Sequence, residues 1–408
     1  MRFDAAVIGA GPAGATAARL LAQAGWSVAL VERAGFPRRK VCGEFISAAT
    51  MPVLQACGVA DDFVARAGPA VHKVAAWCGE TTVDAALPHA KVGWGRALGR
   101  EFLDVLLRDA AVAAGAMLFQ PAEVTALNRR AEQHTLELGR AGQDAGTVDE
   151  IGARVVIAAC GSWNSSGSFA VNAKRRPSDL FAFKAHLRGG ALADGTMPLL
   201  AFPGGYGGIV HSDRGRISLS CCIRRDALAR ARAMHGAKAG EAVFRHILAS
   251  TAGARRALRD AAVEGAILAA GPIRPGIRAC YRDGIFFAGN IAGEAHPIIA
   301  EGISMAIQSS WLLAQCLLAD GRGANPGSGA AAGSNYARAW RRQFALRLRA
   351  AAVYARLAMN DHSRAAGARL IRAFPMLLTW GAALSGKATS VRAPRSSPIA
   401  PGDPADCV

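Results

Sequence analysis

The chain has 408 residues, 51% of them hydrophobic and 19% charged, which carries two or three packed regions and excludes a disordered chain. The net charge is +18, but Tyr336 to Arg395 alone holds twelve Arg or Lys against one Asp. No nucleic-acid-binding pattern accompanies this excess, so an anionic ligand or a membrane surface ranks above DNA or RNA as partner.

Nine cysteines lack metal spacing, and Cys221 and Cys222 are adjacent, which suits neither a zinc ribbon nor a disulfide framework and fits reduced thiols in a cytoplasm. At the N-terminus, Asp4 and a glycine-broken apolar run argue against a signal peptide. No uncharged run reaches the roughly 20 residues of a membrane-spanning helix.

The opening stretch, FDAAVIGAGPAGATAARLLAQAGWSVALVER, predicts a strand at Ala5 to Ile8, a glycine loop, a helix at Ala15 to Ala24 and a strand at Val28 to Val31. Gly9, Gly11 and Gly14 form G-x-G-x-x-G, with Pro12 and Ala13 inside it. Gly9 permits the tight turn, Gly11 lets backbone approach a pyrophosphate, and Gly14 lets the helix lie close on the sheet. The helix N-terminus then faces the phosphates. Glu32, followed by Arg33, stands where a carboxylate accepts from ribose hydroxyls. This pattern binds a dinucleotide and leaves NAD and FAD both open.

FPRRKVCGEFIS follows, with Arg38, Arg39 and Lys40 ahead of Cys42, Gly43 and Glu44. Taken with the glycine loop and Glu32, it resembles the FAD-dependent oxidoreductase superfamily of geranylgeranyl reductases, flavin-dependent halogenases and aromatic-ring hydroxylases. The resemblance implies non-covalent FAD, with Arg38 near the pyrophosphate. It places Cys42, Gly43 and Glu44 near the isoalloxazine or the substrate, where Cys42 has a positional rather than a covalent role. Further along, ALGREFLDVLLRDAAVAAGAMLF resembles the family's helix that opens on an arginine, here Arg100, a cofactor contact by that resemblance. ARVVIAACGSWNSSG carries Cys160-Gly161 where hydroxylases have Asp-Gly, so Gly161 carries over while their NADPH site does not.

The family's distal segment is matched by DGIFFAGNIAGEAHPIIAEGISMAIQSSWLLAQCLL, residues 283 to 318. Gly289 and Asn290 stand for its Gly-Asp, and Pro297, Ala300 and Gly302 for its P-x-x-G-x-G, one glycine replaced. A helix from Gly302 and Ile303 would aim N–H groups at the flavin pyrimidine. His296, before Pro297 and two residues after Glu294, is a candidate proton donor beside Cys42 and Glu44; Lys184, His186, Tyr206 and His211 are further side chains to test.

Stretches such as LFAFKAHL and RISLSCCI alternate polar and apolar residues, predicting a sheet that in the family roofs the flavin. The halogenase W-x-W-x-I-P is absent. The expected fold is α/β: a FAD/NAD(P)-binding Rossmann-like domain (1–70, 95–169, 266–320) with an inserted mixed β-sheet substrate domain (71–94, 170–265) and a C-terminal helical region (335–387). Composition makes 321–334 a flexible linker and 388–408 a disordered tail. Between them, Tyr336 to Met359 and Arg364 to Ser385 predict two cationic helices, the second interrupted at Pro375, packed on the body and capable of peripheral membrane contact.

The resulting expectation is a cytoplasmic flavoenzyme, capable of peripheral membrane contact, acting on a lipophilic small molecule. NAD(P)H or a separate reductase would supply its electrons. Monooxygenation of an aromatic or polyketide-like substrate ranks first, and saturation of an isoprenoid double bond, as in geranylgeranyl reductases, second. A halogenase or a non-catalytic flavoprotein ranks below both.

Overall fold

The computed structural model describes residues 1–130, 133–139, 149–162, 176–236, 238–320 and 328–391. Strand β1 (Arg2–Ile8), helix α1 (Pro12–Gln23) and strand β2 (Val28–Val31) form the first crossover unit. Every residue of β2 is buried, as a parallel strand covered on both faces requires. Helix α1 starts at Pro12, earlier than the expected Ala15, because proline fits the first helical position, where an N–H has no intrahelical acceptor.

The chain continues through the hairpin β3 (Lys73–Cys78) and β4 (Thr81–Ala86). Next come α2 (Arg100–Ala113), β5 (Met117–Phe119), β6 (Glu123–Arg130), β7 (Gln133–Gly139) and β8 (Asp149–Ala158). Four strands follow, β9 (Leu180–Arg188), β10 (Thr196–Phe202), β11 (Gly205–His211) and β12 (Ile217–Arg224). Helices α3 (Arg225–His235) and α4 (Ala239–Ser250) lead to β13 (Ala262–Ile273) and β14 (Ile285–Phe287). Four long elements end the described chain: α5 (Gly302–Ala319), α6 (Ser328–Met359), α7 (Asp361–Ala373) and α8 (Met376–Leu384).

Two sheets organise these elements. The first has a parallel core ordered β14-β8-β1-β2-β5, to which the β6–β7 hairpin attaches antiparallel through β7. The second runs β13-β9-β12-β11-β10-β3-β4 and is antiparallel except for the β10–β3 pair. One face of the second sheet, with Phe183, Ala185, Leu187, Leu219 and Ile223, packs on Val243 and Ile247 of α4. Lys184, His186 and Ser218 lie on its other, polar face, so the alternation read from sequence is the alternation observed.

Two boundaries differ from expectation. The second sheet ends at Ile273 rather than 265, because β13 pairs with β9 as its edge strand. The supposed linker is helical from Ser328 onward; its small residues let α6 lie against Tyr281, where a side chain at Gly333 would collide with the ring. Its first part, 321–327, and residues 392–408 of the expected tail lie outside the described residues. The break between α7 and α8 falls at Phe374-Pro375, as the proline predicts.

Helix α6 packs on the body: the Tyr336 hydroxyl donates to the Phe287 carbonyl at 2.9 Å, and Trp340 covers Gly293. Among the described residues α5 alone has the length and apolar composition of a membrane span, but it is mostly buried and serves as a core helix.

Candidate active site

The glycine loop explains itself sterically. Gly9 holds a φ of +103°, and a Cβ there would stand 2.8 Å from the Ala159 carbonyl oxygen. A Cβ at Gly14 would collide with the Gly9 carbonyl. At Gly11 a Cβ would meet only the Arg100 guanidinium, 3.6 Å away. The first and third glycines thus pack the loop on the sheet, while the second opens a cradle at the N-terminus of α1. Gly11, Pro12 and Ala13 line a cleft between the two sheets.

At the end of β2, the Glu32 carboxylate accepts from the backbone N–H of Ala10 and of Ala34, both at 2.9 Å. Arg38 donates to both its oxygens at 2.8 and 3.1 Å. Arg38 lines the cleft, and its guanidinium is engaged with Glu32 because that carboxylate lies in bidentate reach. Arg33 reaches outward toward Glu123 at 4.0 Å while bordering the cleft. Arg100 is held by Asp104 at 2.6 and 2.8 Å and faces the Gly11 cradle. Lys40 lines the same cleft with no hydrogen bond or ion pair among the described residues. Burial, with Arg38 and Arg100 nearby, pushes it down to about 8.

The next turn ties the cofactor segment to the second sheet. Cys42 and Gly43 line the cleft, with Gly43 so close to Ser220 that a Cβ would stand 3.2 Å from its Oγ. Glu44 sits at a φ of +64°, unusual for a residue with a side chain. Its buried carboxylate meets Lys184 at 2.7 Å and His186 Nε2 at 2.9 Å, and accepts from Ser212 at 3.2 Å. Burial opposes the charge, but Lys184 and His186 overcome it and hold Glu44 well below the usual carboxylate range. Lys184 also donates to the Cys42 carbonyl at 2.9 Å and to Ser218 at 2.7 Å. Beyond it, His186 Nδ1 meets Arg39 at 2.9 Å and Arg216 at 3.3 Å. Glu44, Lys184 and His186 therefore form a clamp that fixes the cleft loop on the sheet. His211 bonds the Leu192 carbonyl at 2.8 Å, outside the cleft.

The opposite wall is lined by Gly161, just after β8, and by Gly289, Asn290, Pro297, Gly302 and Ile303 of the distal segment. A Cβ at Gly289 would press on Ala13 at 2.9 Å, and one at Gly302 would meet nothing within 4 Å, leaving the N-terminus of α5 open. Ala300 replaces the family's glycine at a φ of +52°, a left-handed conformation that costs an alanine about 1 kcal/mol. Asn290 donates to Ser162 at 3.0 Å and to Glu294 Oε1 at 3.3 Å, and Ser162 donates to the same oxygen at 2.8 Å. Glu294 Oε2 lies 3.5 Å from Arg278 but has no hydrogen bond. Burial raises this carboxyl above its ordinary value, against the pull of Ser162 and Arg278.

His296 does not line the cleft. Its Nδ1 lies 3.1 Å from the Tyr206 hydroxyl, and burial together with Arg356 of α6 pushes it down to about 4. Contrary to expectation, the ring is neutral near pH 7 and carries no proton to give as imidazolium. Tyr206 and Cys222 do line the cleft, and burial keeps both protonated, Cys222 being pushed up to about 12. Tyr206 and Cys222 are thus neutral acids on one wall, and Glu294, raised by burial, lies on the same wall. The sequence signals for Glu294 and Cys222 were slight: a carboxylate two residues before His296 and a cysteine on the polar face of β12.

The chemistry of the donors suits a flavin dinucleotide: an open glycine cradle, an unpartnered Lys40, a carboxylate at the end of β2 and an open helix N-terminus at Gly302. Residues 2–174 match the protein family described as FAD binding domain. The match takes in the glycine loop, Glu32 and the turn from Cys42 to Glu44.

Menaquinone reductase of Mycobacterium tuberculosis is 31% identical over 167 residues, 40% of this chain and 39% of that protein. The chain thus matches well under half the length of this relative. Digeranylgeranylglycerophospholipid reductase 2 of Methanopyrus kandleri is 29% identical over 328 residues, 75% of this chain and 74% of that one. Among solved structures, the flavin-dependent brominase Bmp2 superposes with a TM-score of 0.75 at 17% identity, covering 96% of this chain and 95% of its own. At that identity the likeness is one of fold.

In the FAD cleft the adenosine end would meet Glu32, the pyrophosphate the Gly11 cradle with Arg100 and Lys40, and the ring end the wall of Asn290, Pro297 and Gly302.

Proposed function

We propose that the protein reduces a carbon–carbon double bond in a lipophilic, isoprenoid-like substrate. The observation that carries this reading is Glu294: a buried carboxyl at the cleft wall, raised by burial against the pull of Arg278, with Oε1 held by Ser162 and Asn290 and Oε2 3.5 Å from Arg278 but without a hydrogen bond. Saturating a double bond requires a hydride, two electrons with a proton, at one carbon and a proton at the other. Bound FAD, replenished by a nicotinamide or by a partner reductase, would supply the first. Glu294 gives the proton from Oε2 and is reprotonated from solvent. Tyr206 and Cys222, kept neutral by burial, add no charge to the cleft wall. Ala182, Met197, Leu199 and Ile273 make an apolar wall that accepts a lipophilic chain and keeps water out. Both curated relatives described above are named as reductases, and the match to the archaeal one extends over three quarters of this chain.

Monooxygenation, ranked first from sequence, would use the same cleft but has no evident task for a proton-donating Glu294. Oxygen dependence separates the two readings. FAD-loaded, chemically reduced protein is incubated anaerobically with a polyprenylated lipid, and the product is analysed by mass. The reading expects two added hydrogens without oxygen, and a Glu294→Gln rate at least about 100-fold lower at unchanged FAD affinity. Oxygen-dependent hydroxylation with no anaerobic product would overturn it.

A further inference from the structure

Helix α7 has no buried residue, and α8 follows it after the Phe374-Pro375 break. Five large apolar side chains on this pair, Leu370, Phe374, Met376, Trp380 and Leu384, are each more than half exposed. Their spacing is helical. Leu370 and Phe374 are four apart on α7 and its end, while Met376, Trp380 and Leu384 repeat every fourth residue along α8. They line up along each helix rather than scattering over the surface, and exposed apolar rows of this kind mark a docking face.

The opposite side of α8 is occupied. Leu378 and Ala382 pack with Met197, Leu199, Val210 and Ala300, and the Thr379 hydroxyl donates to the Ala86 carbonyl at 2.6 Å. Met197, Leu199, Val210 and Ala300 also line the FAD cleft. A single layer of side chains therefore separates the exposed stripe from the cleft wall.

Charge selects the occupant. Arg369 and Arg372 are exposed on α7, with no ion pair among the described residues, in a region where twelve cations face one Asp. A second copy of the chain meeting this face symmetrically would bring like charges together. An anionic lipid surface complements both the cations and the apolar stripe, and Trp380 suits the bilayer interface.

We propose that α7 and α8 dock the protein on an anionic lipid bilayer, with Phe374, Met376, Trp380 and Leu384 entering the headgroup boundary and Arg369 and Arg372 meeting lipid phosphates. Docking is independent of the redox reaction. It sets the cleft wall of Met197 and Val210 directly behind the membrane-facing helix.

The test uses the full chain and sedimentation with two kinds of vesicle, pure phosphatidylcholine and phosphatidylcholine containing about 30% phosphatidylglycerol. Binding to the anionic vesicles is expected to exceed binding to the neutral ones by about tenfold or more. The double variant Phe374→Ser/Trp380→Ser lowers binding by at least about tenfold with an unchanged thermal melt, since both side chains are exposed. Arg369→Gln/Arg372→Gln removes the preference for anionic lipid. Absence of binding to either vesicle, or binding untouched by the serine variants, overturns the proposal. So does a dimer in sedimentation velocity that the serine variants dissolve, because the stripe would then belong to an interface between copies.

Discussion

Arg38 grips both carboxylate oxygens of Glu32, at 2.8 and 3.1 Å, while two backbone N–H groups hold the same carboxylate from the other side. The carboxylate that would meet the ribose is thus fixed before any ligand arrives. Removing the guanidinium frees it to swing. Arg38→Ala should raise the dissociation constant for FAD by about 10- to 100-fold, the size of one charge-assisted hydrogen bond. Titration followed by flavin fluorescence quenching checks this.

The three loop glycines divide into two classes of variant. A methyl at Gly14 collides with the Gly9 carbonyl, so Gly14→Ala should fold poorly or melt well below the parent protein. A methyl at Gly11 points at open space near Arg100, so Gly11→Ala should keep its melting temperature without ligand and lose FAD affinity. Thermal melts with and without FAD separate the two effects.

Lys387 donates to Glu301 Oε1 at 3.0 Å and to the Ile299 carbonyl at 2.7 Å, both side chains being buried at the start of α5. Lys387→Met would strand the Glu301 carboxylate, a loss of about 3–5 kcal/mol. Adding Glu301→Gln should restore part of it. Denaturant unfolding of the single and double variants measures the difference.

His296 gives the pH dependence. Its folded value, about 4, lies below the ordinary 6.5. Between these values the unfolded chain binds a proton that the folded protein does not, so the site's contribution to stability falls as pH drops from about 6.5 to about 4 and levels off below that. His296→Asn removes this slope, and the variant should gain on the parent protein progressively across that window. Unfolding curves at several pH values provide the check, and parallel behaviour of the two proteins would count against it.

The glycine loop, β2, Glu32 and the segment from Gly289 to Gly302 were legible because each meets a local backbone demand or a fixed sequence spacing. The clamp around Glu44 was not. Its partners Lys184 and His186 lie 140 and 142 residues further along the chain, and only the closing of the two sheets brings them together. The linker reading of 328–334 failed because small residues serve a flexible chain and a close-packed helix equally well; contact with Tyr281 decides between them. Strand β13 ran past its expected boundary because it is an edge strand with much of its length exposed, so its burial alternates too weakly to mark an end. The roles of His296 and Glu294 depend on burial, which the order of residues does not disclose.

The most direct test of the whole account is stoichiometric titration of the ligand-free protein with FAD, followed by absorbance of the bound, yellow form. One FAD per chain, lost in Gly11→Asp while that variant stays folded, is the predicted result. A folded protein that stays colourless through the titration would contradict the account.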